Sequence, residues 1–214
     1  DYADSLVFAN SCHALAYKAR LGGDECLVLY DGKEEYETDK YDFIGEPAFS
    51  SDDKLIGFGA NLGGEVTQEL EVAGGIWFPV VIEIDKLAAK GPFSSVKSTY
   101  CHDPDTQKIK STKIHSFRFV PNSHDFCYVC EKAGKEFVVI GDREYDRYAM
   151  IADVVLSMDG KRLAYRALAD SGWIVSCDES TDGPYEYVSN PVFYAHALYY
   201  VAYDGVQFML LEHK

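Results

Sequence analysis

Two carboxylates, Glu46 and Asp153, and one guanidinium, Arg118, are the residues of this sequence best suited to chemistry. A pair of carboxyl groups facing each other across a sugar can serve as acid and as base or nucleophile in glycosidic cleavage. An Arg among them could pair with either, or take an anionic ligand as a bidentate donor. Ser5, Ser116 and Asn190 belong to the same set. Ser5, Glu46, Ser116, Asp153 and Asn190 each stand three residues before a large apolar residue, namely Phe8, Phe49, Phe119, Leu156 and Phe193. The two intervening positions are apolar or Pro except at Arg118, which interrupts the column Val7, Ala48, Val155 and Val192. Strand periodicity puts Arg118 on the face of Ser116. Polar groups converging on one axis from several elements would make a ligand site. They could equally cap the starts of strands and hold water.

Other spacings are weaker. Cys127-x-x-Cys130 has the interval of a zinc or redox pair, but on a strand residues three apart point to opposite faces, which is wrong for shared ligation. Asp178-Glu-Ser-Thr-Asp-Gly183 matches the opening of a calcium loop, yet Ser189 stands where the bidentate Glu is needed, so it reads as a connecting turn. The sequence has no Gly-rich phosphate loop, no G-x-S-x-G elbow and no H-E-x-x-H. No metal or other cofactor is expected.

The elements that carry these residues repeat. Seven residues after the first four anchors come Leu15, Ile56, Phe126 and Leu163, nine after come Tyr17, Phe58, Tyr128 and Tyr165, and eleven after come Ala19, Ala60, Cys130 and Ala167. The fifth copy shows the same large, aromatic, small triplet as Leu198, Tyr200 and Ala202, after a turn two residues shorter. Ser157-Met-Asp-Gly-Lys-Arg-Leu-Ala-Tyr-Arg-Ala167 shows the unit best. Asp-Gly supplies the turn, and alternation at period two supplies the strand. A short apolar run follows most copies, as in "ECLVLYDGKEEY" and "EFVVIGDREY".

Each unit is thus three or four short antiparallel strands, and units of about 40 residues that each form a small sheet signify a β-propeller. The chain is expected to be all-β: a single domain over 1–214 of about five small antiparallel sheets. The interval from Phe49 to Phe119 is nearly double the others. It puts an irregular excursion, or a degenerate sixth blade, at 65–112 in the second repeat. The last copy ends after its third strand, so a ring left open would expose an edge able to pair with another chain.

"VLSMDGKRLAYRA" and "AFSSDDKLIGFGA" resemble the TolB-like propeller repeats, which are related to the broad WD-repeat class. The resemblance covers nearly all of the chain outside 65–112. It implies an interaction platform more often than an enzyme. Five-bladed glycoside hydrolases are similar in placing carboxylates on inner strands, which would make Glu46 and Asp153 the candidates, but those enzymes are much longer. In a propeller the anchor strand is the innermost, so Ser5, Glu46, Ser116, Arg118, Asp153 and Asn190 are expected around one mouth of the central channel as a ligand-binding set.

Composition narrows the partners. A chain of 214 residues with 47% hydrophobic and 26% charged residues can bury a sizeable core. A formal net charge of −15 disfavours nucleic acid and anionic lipid. No apolar run is long enough to span a membrane and no targeting signal is evident, which leaves cytoplasm and periplasm both open. Six cysteines are too few for a disulfide-stapled fold and read as reduced, mostly buried thiols. Sixteen tyrosines, several near turns (Tyr36, Tyr41, Tyr185, Tyr187, Tyr203), suit a recognition surface or a packed layer with wet hydroxyls. The expected function is a non-catalytic scaffold for a protein or peptide, with self-association through an unclosed blade as a further expectation. The alternative is a carboxylate-based enzyme or small-ligand site.

Overall fold

The computed structural model describes residues 2–33, 35–38, 40–66, 72–84, 113–141 and 143–213. These residues build five four-stranded antiparallel sheets. Blade 1 runs β1 (Tyr2–Phe8), β2 (Leu15–Leu21), β3 (Asp24–Tyr30), β4 (Glu35–Glu37). In blade 2, β5 (Phe43–Ile44) and β6 (Ala48–Phe49) share one edge of β7 (Leu55–Val66), which pairs with β8 (Val72–Glu83). Blade 3 runs β9 (Lys113–Phe119), β10 (Phe126–Lys132), β11 (Lys135–Ile140), β12 (Arg143–Glu144). Blade 4 runs β13 (Met150–Leu156), β14 (Leu163–Ala169), β15 (Gly172–Cys177), β16 (Ser180–Tyr185). In blade 5, β17 (Tyr187–Val188) and β18 (Val192–Tyr194) share one edge of β19 (Ala197–Tyr203), which pairs with β20 (Phe208–His213). Part of 65–112 extends the β7–β8 hairpin to twelve residues a side, and 67–71 and 85–112 lie outside the described residues.

The triplet is what joins one blade to the one before it. Ile56, Phe58 and Ala60 pack on Ala16, Leu27 and Leu29 of blade 1. Tyr128 and Cys130, with Phe126 at the margin, meet Leu55, Trp77 and Val81 of blade 2. Leu163, Tyr165 and Ala167 meet Cys127, Val129 and Val138 of blade 3. Leu198, Tyr200 and Ala202 meet Ala164, Val175 and Cys177 of blade 4. Burying each large side chain contributes about 1.5–3 kcal/mol. The receiving faces carry a small residue at one recurring position, Ala16, Gly57, Cys127 or Ala164, just after the first triplet residue. Gly57 shows why: a Cβ there would lie 2.4 Å from the Phe117 ring of the next blade.

The strand or strand pair that opens each sheet carries one residue too many. In blades 1, 3 and 4 the register slips between Asp4 and Val7, His115 and Arg118, and Ala152 and Val155, so two residues oppose one aromatic: Tyr17, Tyr128 or Tyr165. The first of the two is Ser5, Ser116 or Asp153, each in the left-handed region with φ of 55°, 56° and 51°. In blades 2 and 5 the strand breaks outright at Gly45–Pro47 and Ser189–Pro191, where three residues oppose two. Such bulges bend a strand and increase its twist. They also let residues five apart face the same neighbour: Ile114 and Phe119, Ile151 and Leu156, Ile44 and Phe49, Val188 and Phe193. An uninterrupted strand cannot do that.

The turns after the anchors are locked internally and then to one another. In Ser157–Arg162 the Ser157 hydroxyl donates to Asp159 Oδ1 (2.6 Å), which also accepts from the Lys161 N–H (3.2 Å), while the Arg162 N–H donates to Ser157 Oγ (3.0 Å). Ser50, Asp52, Lys54 and Leu55 repeat the pattern. Between blades, Asn10 and Ser11 N–H groups each donate to the Asp53 carboxylate at 2.7 Å, Asn122 donates to Ser51 Oγ and the Met158 carbonyl, and Arg162 donates to the His196 carbonyl. Among the described residues no strand of blade 5 pairs with blade 1, and the array is open.

Candidate functional site

The structure places Ser5, Ser116 and Asp153 at the bulges of the first strand in blades 1, 3 and 4, Arg118 just after the bulge of blade 3, and Glu46 and Asn190 in the strand breaks of blades 2 and 5. The Asp153 carboxylate binds Nε of Arg166. That guanidinium lies over the Trp173 ring at 5.1 Å, and its Nη1 donates to the Val188 carbonyl of blade 5 at 2.6 Å. Asp153 thereby helps hold blade 5 to blade 4. Its partner is Arg166, not Arg118. Arg118 Nε donates instead to the Val154 carbonyl of the following blade at 3.1 Å. Arg118 lies on the side opposite Phe117 and Phe119, and the bulge at Ser116 interrupts the simple alternation that links the two positions in the sequence. Ser116 Oγ lies 2.9 Å from His115 Nδ1. Glu46 and Asn190 are exposed at the two strand breaks, and Ser5 is half-buried in blade 1.

Two buried carboxylates that bridge blades, Glu25 and Glu136, lie outside the anchor-minus-three set. Glu25, at the start of β3, is 2% exposed and accepts the Ile44 N–H of blade 2 at 2.8 Å. Glu136, at the start of β11, accepts the Ile151 N–H of blade 4 at 2.6 Å and meets His115 Nε2 at 3.2 Å. A hydrogen bond of this kind to a charged group contributes about 1.5–3 kcal/mol. Their signal is in the repeat. Glu opens "ECLVL" and "EFVVI", and Trp173 replaces it in "WIVSC", where Arg166 takes over the reach to the next blade.

No family profile and no curated protein matches the chain. Solved structures do. TolB from Acinetobacter baumannii superposes with a TM-score of 0.54 at 17% identity over 100% of this chain and 55% of that one. The β-propeller domain of the Trilobed protease from Pyrococcus furiosus, which has an open velcro topology, gives 0.55 at 16% over 97% and 70%. The fold is a TolB-like β-propeller. A Pyrococcus horikoshii acylaminoacyl peptidase gives 0.53 at 9%, and this chain covers 37% of its length. The chain thus spans little more than half of the TolB structure and about a third of the peptidase.

The rest of this TolB-like propeller offers other gatherings of polar groups. A cavity of about 490 Å³ between blades 3 and 4 holds two guanidiniums, each already paired: Arg143 with Glu179 (2.9 Å) and Arg162 with Asp178 (3.0 Å). At the interface of blades 4 and 5, the Tyr200 hydroxyl donates to Asp182. Burial, then the bond to Asp182, raises the Tyr200 pKa, and the same causes push Tyr185 up to about 12. This cluster pins β16 to β19. Cys127 and Cys130 face opposite blades, and burial pushes the Cys127 thiol up to about 12. Of the described cysteines, only Cys12 is exposed. Asp178–Gly183 is a turn only at its start, since β16 begins at Ser180. Tyr36 and Tyr41 are buried in the core, whereas Tyr187 is exposed. Among the described residues no group of three or more His, Cys, Asp and Glu is placed to hold a metal.

Proposed function

We propose that this chain is a non-catalytic propeller scaffold that binds a protein or peptide. The observation that carries the reading is the engagement of Asp153. An acid–base pair needs two carboxylates directed at a substrate, and Asp153 is instead committed to Arg166 and the joint with blade 5. Propeller domains are what the chain resembles, and some of them accompany hydrolase domains in much longer proteins. The enzyme reading therefore keeps only Glu46, which is exposed at the break between β5 and β6.

Two assays on the same preparations separate these readings. Wild type and Glu46→Gln are incubated with a panel of aryl glycosides, and both are titrated with arrayed peptides. The scaffold reading expects no turnover above buffer and equal peptide binding by the two proteins. Glycoside hydrolysis by wild type that Glu46→Gln abolishes would replace the scaffold with an enzyme.

A further inference from the structure

The cavity of about 490 Å³ between blades 3 and 4 is a cleft bounded at both ends. The turn that follows β13 shuts its inner end. A Cβ on Gly160 would lie 2.5 Å from the Pro121 carbonyl of blade 3, and Asn122 Nδ2 donates to the Met158 carbonyl at 3.0 Å. A single strap crosses the outer end, from Arg143 Nη2 of β12 to Glu179 Oε1 just before β16. Ile140 and Leu156, both half-buried, give the cleft apolar surface from opposite blades. A ligand that ends inside the cleft fits these bounds, whereas a chain running through it would meet one of them.

The two guanidiniums on its walls are held differently. Arg162 is built in: Nε binds Asp178, whose other oxygen accepts the Leu163 N–H, Nη1 reaches the His196 carbonyl, and the guanidinium lies over the Phe193 ring. Arg143 is held more loosely. It rests on the Tyr145 ring at 4.6 Å, and its pair with Glu179 is open to water, with 56% and 82% of the two side chains exposed. An ion pair so exposed contributes little, so an arriving carboxylate can take the place of Glu179 on Arg143. On the blade 4 side, Lys161 is exposed and enters no ion pair among the described residues. Its neighbour Asp159 feels its charge but holds the Ser157 hydroxyl and the Lys161 N–H. In charge the lining is balanced, Arg143, Lys161 and Arg162 against Asp125, Asp178 and Glu179, in a chain with 20 basic and 35 acidic residues.

We propose that this cleft binds a small apolar carboxylic acid. The ionised carboxylate replaces Glu179 on Arg143 and takes a second contact from Lys161. The apolar body lies on Ile140 and Leu156 and against the Tyr145 ring. The volume falls within the range of small-molecule sites, about 300–1,000 Å³. Because the two cations come from different blades, the ligand also ties blade 3 to blade 4. The same chemistry occurs at the end of a peptide, whose last residue carries a carboxylate beside its side chain, and the test separates the two sources. The proposal goes beyond the scaffold reading and does not depend on it.

The probes are phenylpropionate, its neutral amide, and an N-acetylated pentapeptide that ends in phenylalanine with a free carboxylate. Each is titrated calorimetrically into the 214-residue chain at low and high salt. Phenylpropionate should bind at least about tenfold tighter than its amide and weaken with salt. Arg143→Gln and Lys161→Gln, both at exposed positions and checked for unchanged thermal unfolding, should each lose about fivefold or more. Glu179→Gln should instead gain about threefold or more, because its carboxylate then no longer competes for Arg143. Equal binding of acid and amide, or no binding of either, overturns the proposal. So does acid binding that survives Arg143→Gln and Lys161→Gln, or that Glu179→Gln fails to tighten. Peptide binding about tenfold tighter than phenylpropionate, with the same response to the three variants, assigns the cleft to a chain terminus and overturns the small ligand. The arrayed peptides that test the scaffold reading are scored separately, so either reading can fail without the other.

Discussion

Asp53 shows how a single side chain can be asked to hold two blades together. It sits in the left-handed region at φ 57° and accepts the Asn10 and Ser11 N–H groups with separate oxygens. Partial burial alone would raise its pKa, but the Ser11 and Asn10 bonds outweigh it and the carboxyl titrates below the ordinary 3.8. A depressed folded value means that the stabilisation is fully present above 3.8 and is lost as pH falls through the lower folded value. Asp53→Asn should therefore melt below wild type at pH 7, with the difference shrinking as pH is lowered beneath 3.8. Thermal unfolding at a series of pH values checks it, and a gap that is constant with pH would refute the assignment. Not all of this residue chemistry could be read in advance. The Asp-Gly turn was legible because its chemistry is local. The Asn10–Asp53 link joins residues 43 apart, and no short pattern announces it. The reach of Asp153 was hidden in the same way, since its partner Arg166 lies across the hairpin.

At the level of elements, the triplet was legible because its large, aromatic, small order recurs in five copies, and in blades 2 to 5 it packs the same way on the blade before it. The bulges were harder to see, although the residues five before the anchors (Ile44, Ile114, Ile151, Val188) carry the signal. A reading at strict period two assigns them to the wrong side, and the extra residue restores them to the right one. The polar character of Asp153 accordingly has a local cause, since Asp is among the residues enriched at positive φ, and the same bulge position holds the small Ser5 and Ser116 in blades 1 and 3. Packing between elements is tight enough to be tested by one methyl group. Gly57→Ala places a Cβ against the Phe117 ring, itself stacked on Phe126 at 5.1 Å, so the ring has little freedom to yield. The substitution should cost about 1–3 kcal/mol, measured as a lowered urea midpoint at unchanged slope. A midpoint equal to that of wild type would mean that blade 3 shifts freely over blade 2.

For the molecule as a whole, the described blades contact their sequence neighbours and do not close on themselves. Stability in such an array is close to a sum of blade terms and interface terms. Blades 2, 3 and 4 each have two interfaces, whereas blades 1 and 5 have one. Native-state hydrogen exchange should show the central strands β7, β10 and β14 opening with higher free energies than β2 and β19. Uniform protection across all five would indicate a single cooperative unit instead. The openness has a mechanical side as well. In a closed ring, a small rotation at one joint is resisted by all the others, because the circle must still meet. Among the described residues no strand pairing between blades 5 and 1 takes up the slack. A few degrees of tilt at the Gly57–Phe117 contact, or at the Asp153–Arg166–Val188 bridge, would pass undiminished to the far end, and the separation of blade 1 from blade 5 would record the sum of four independent hinges.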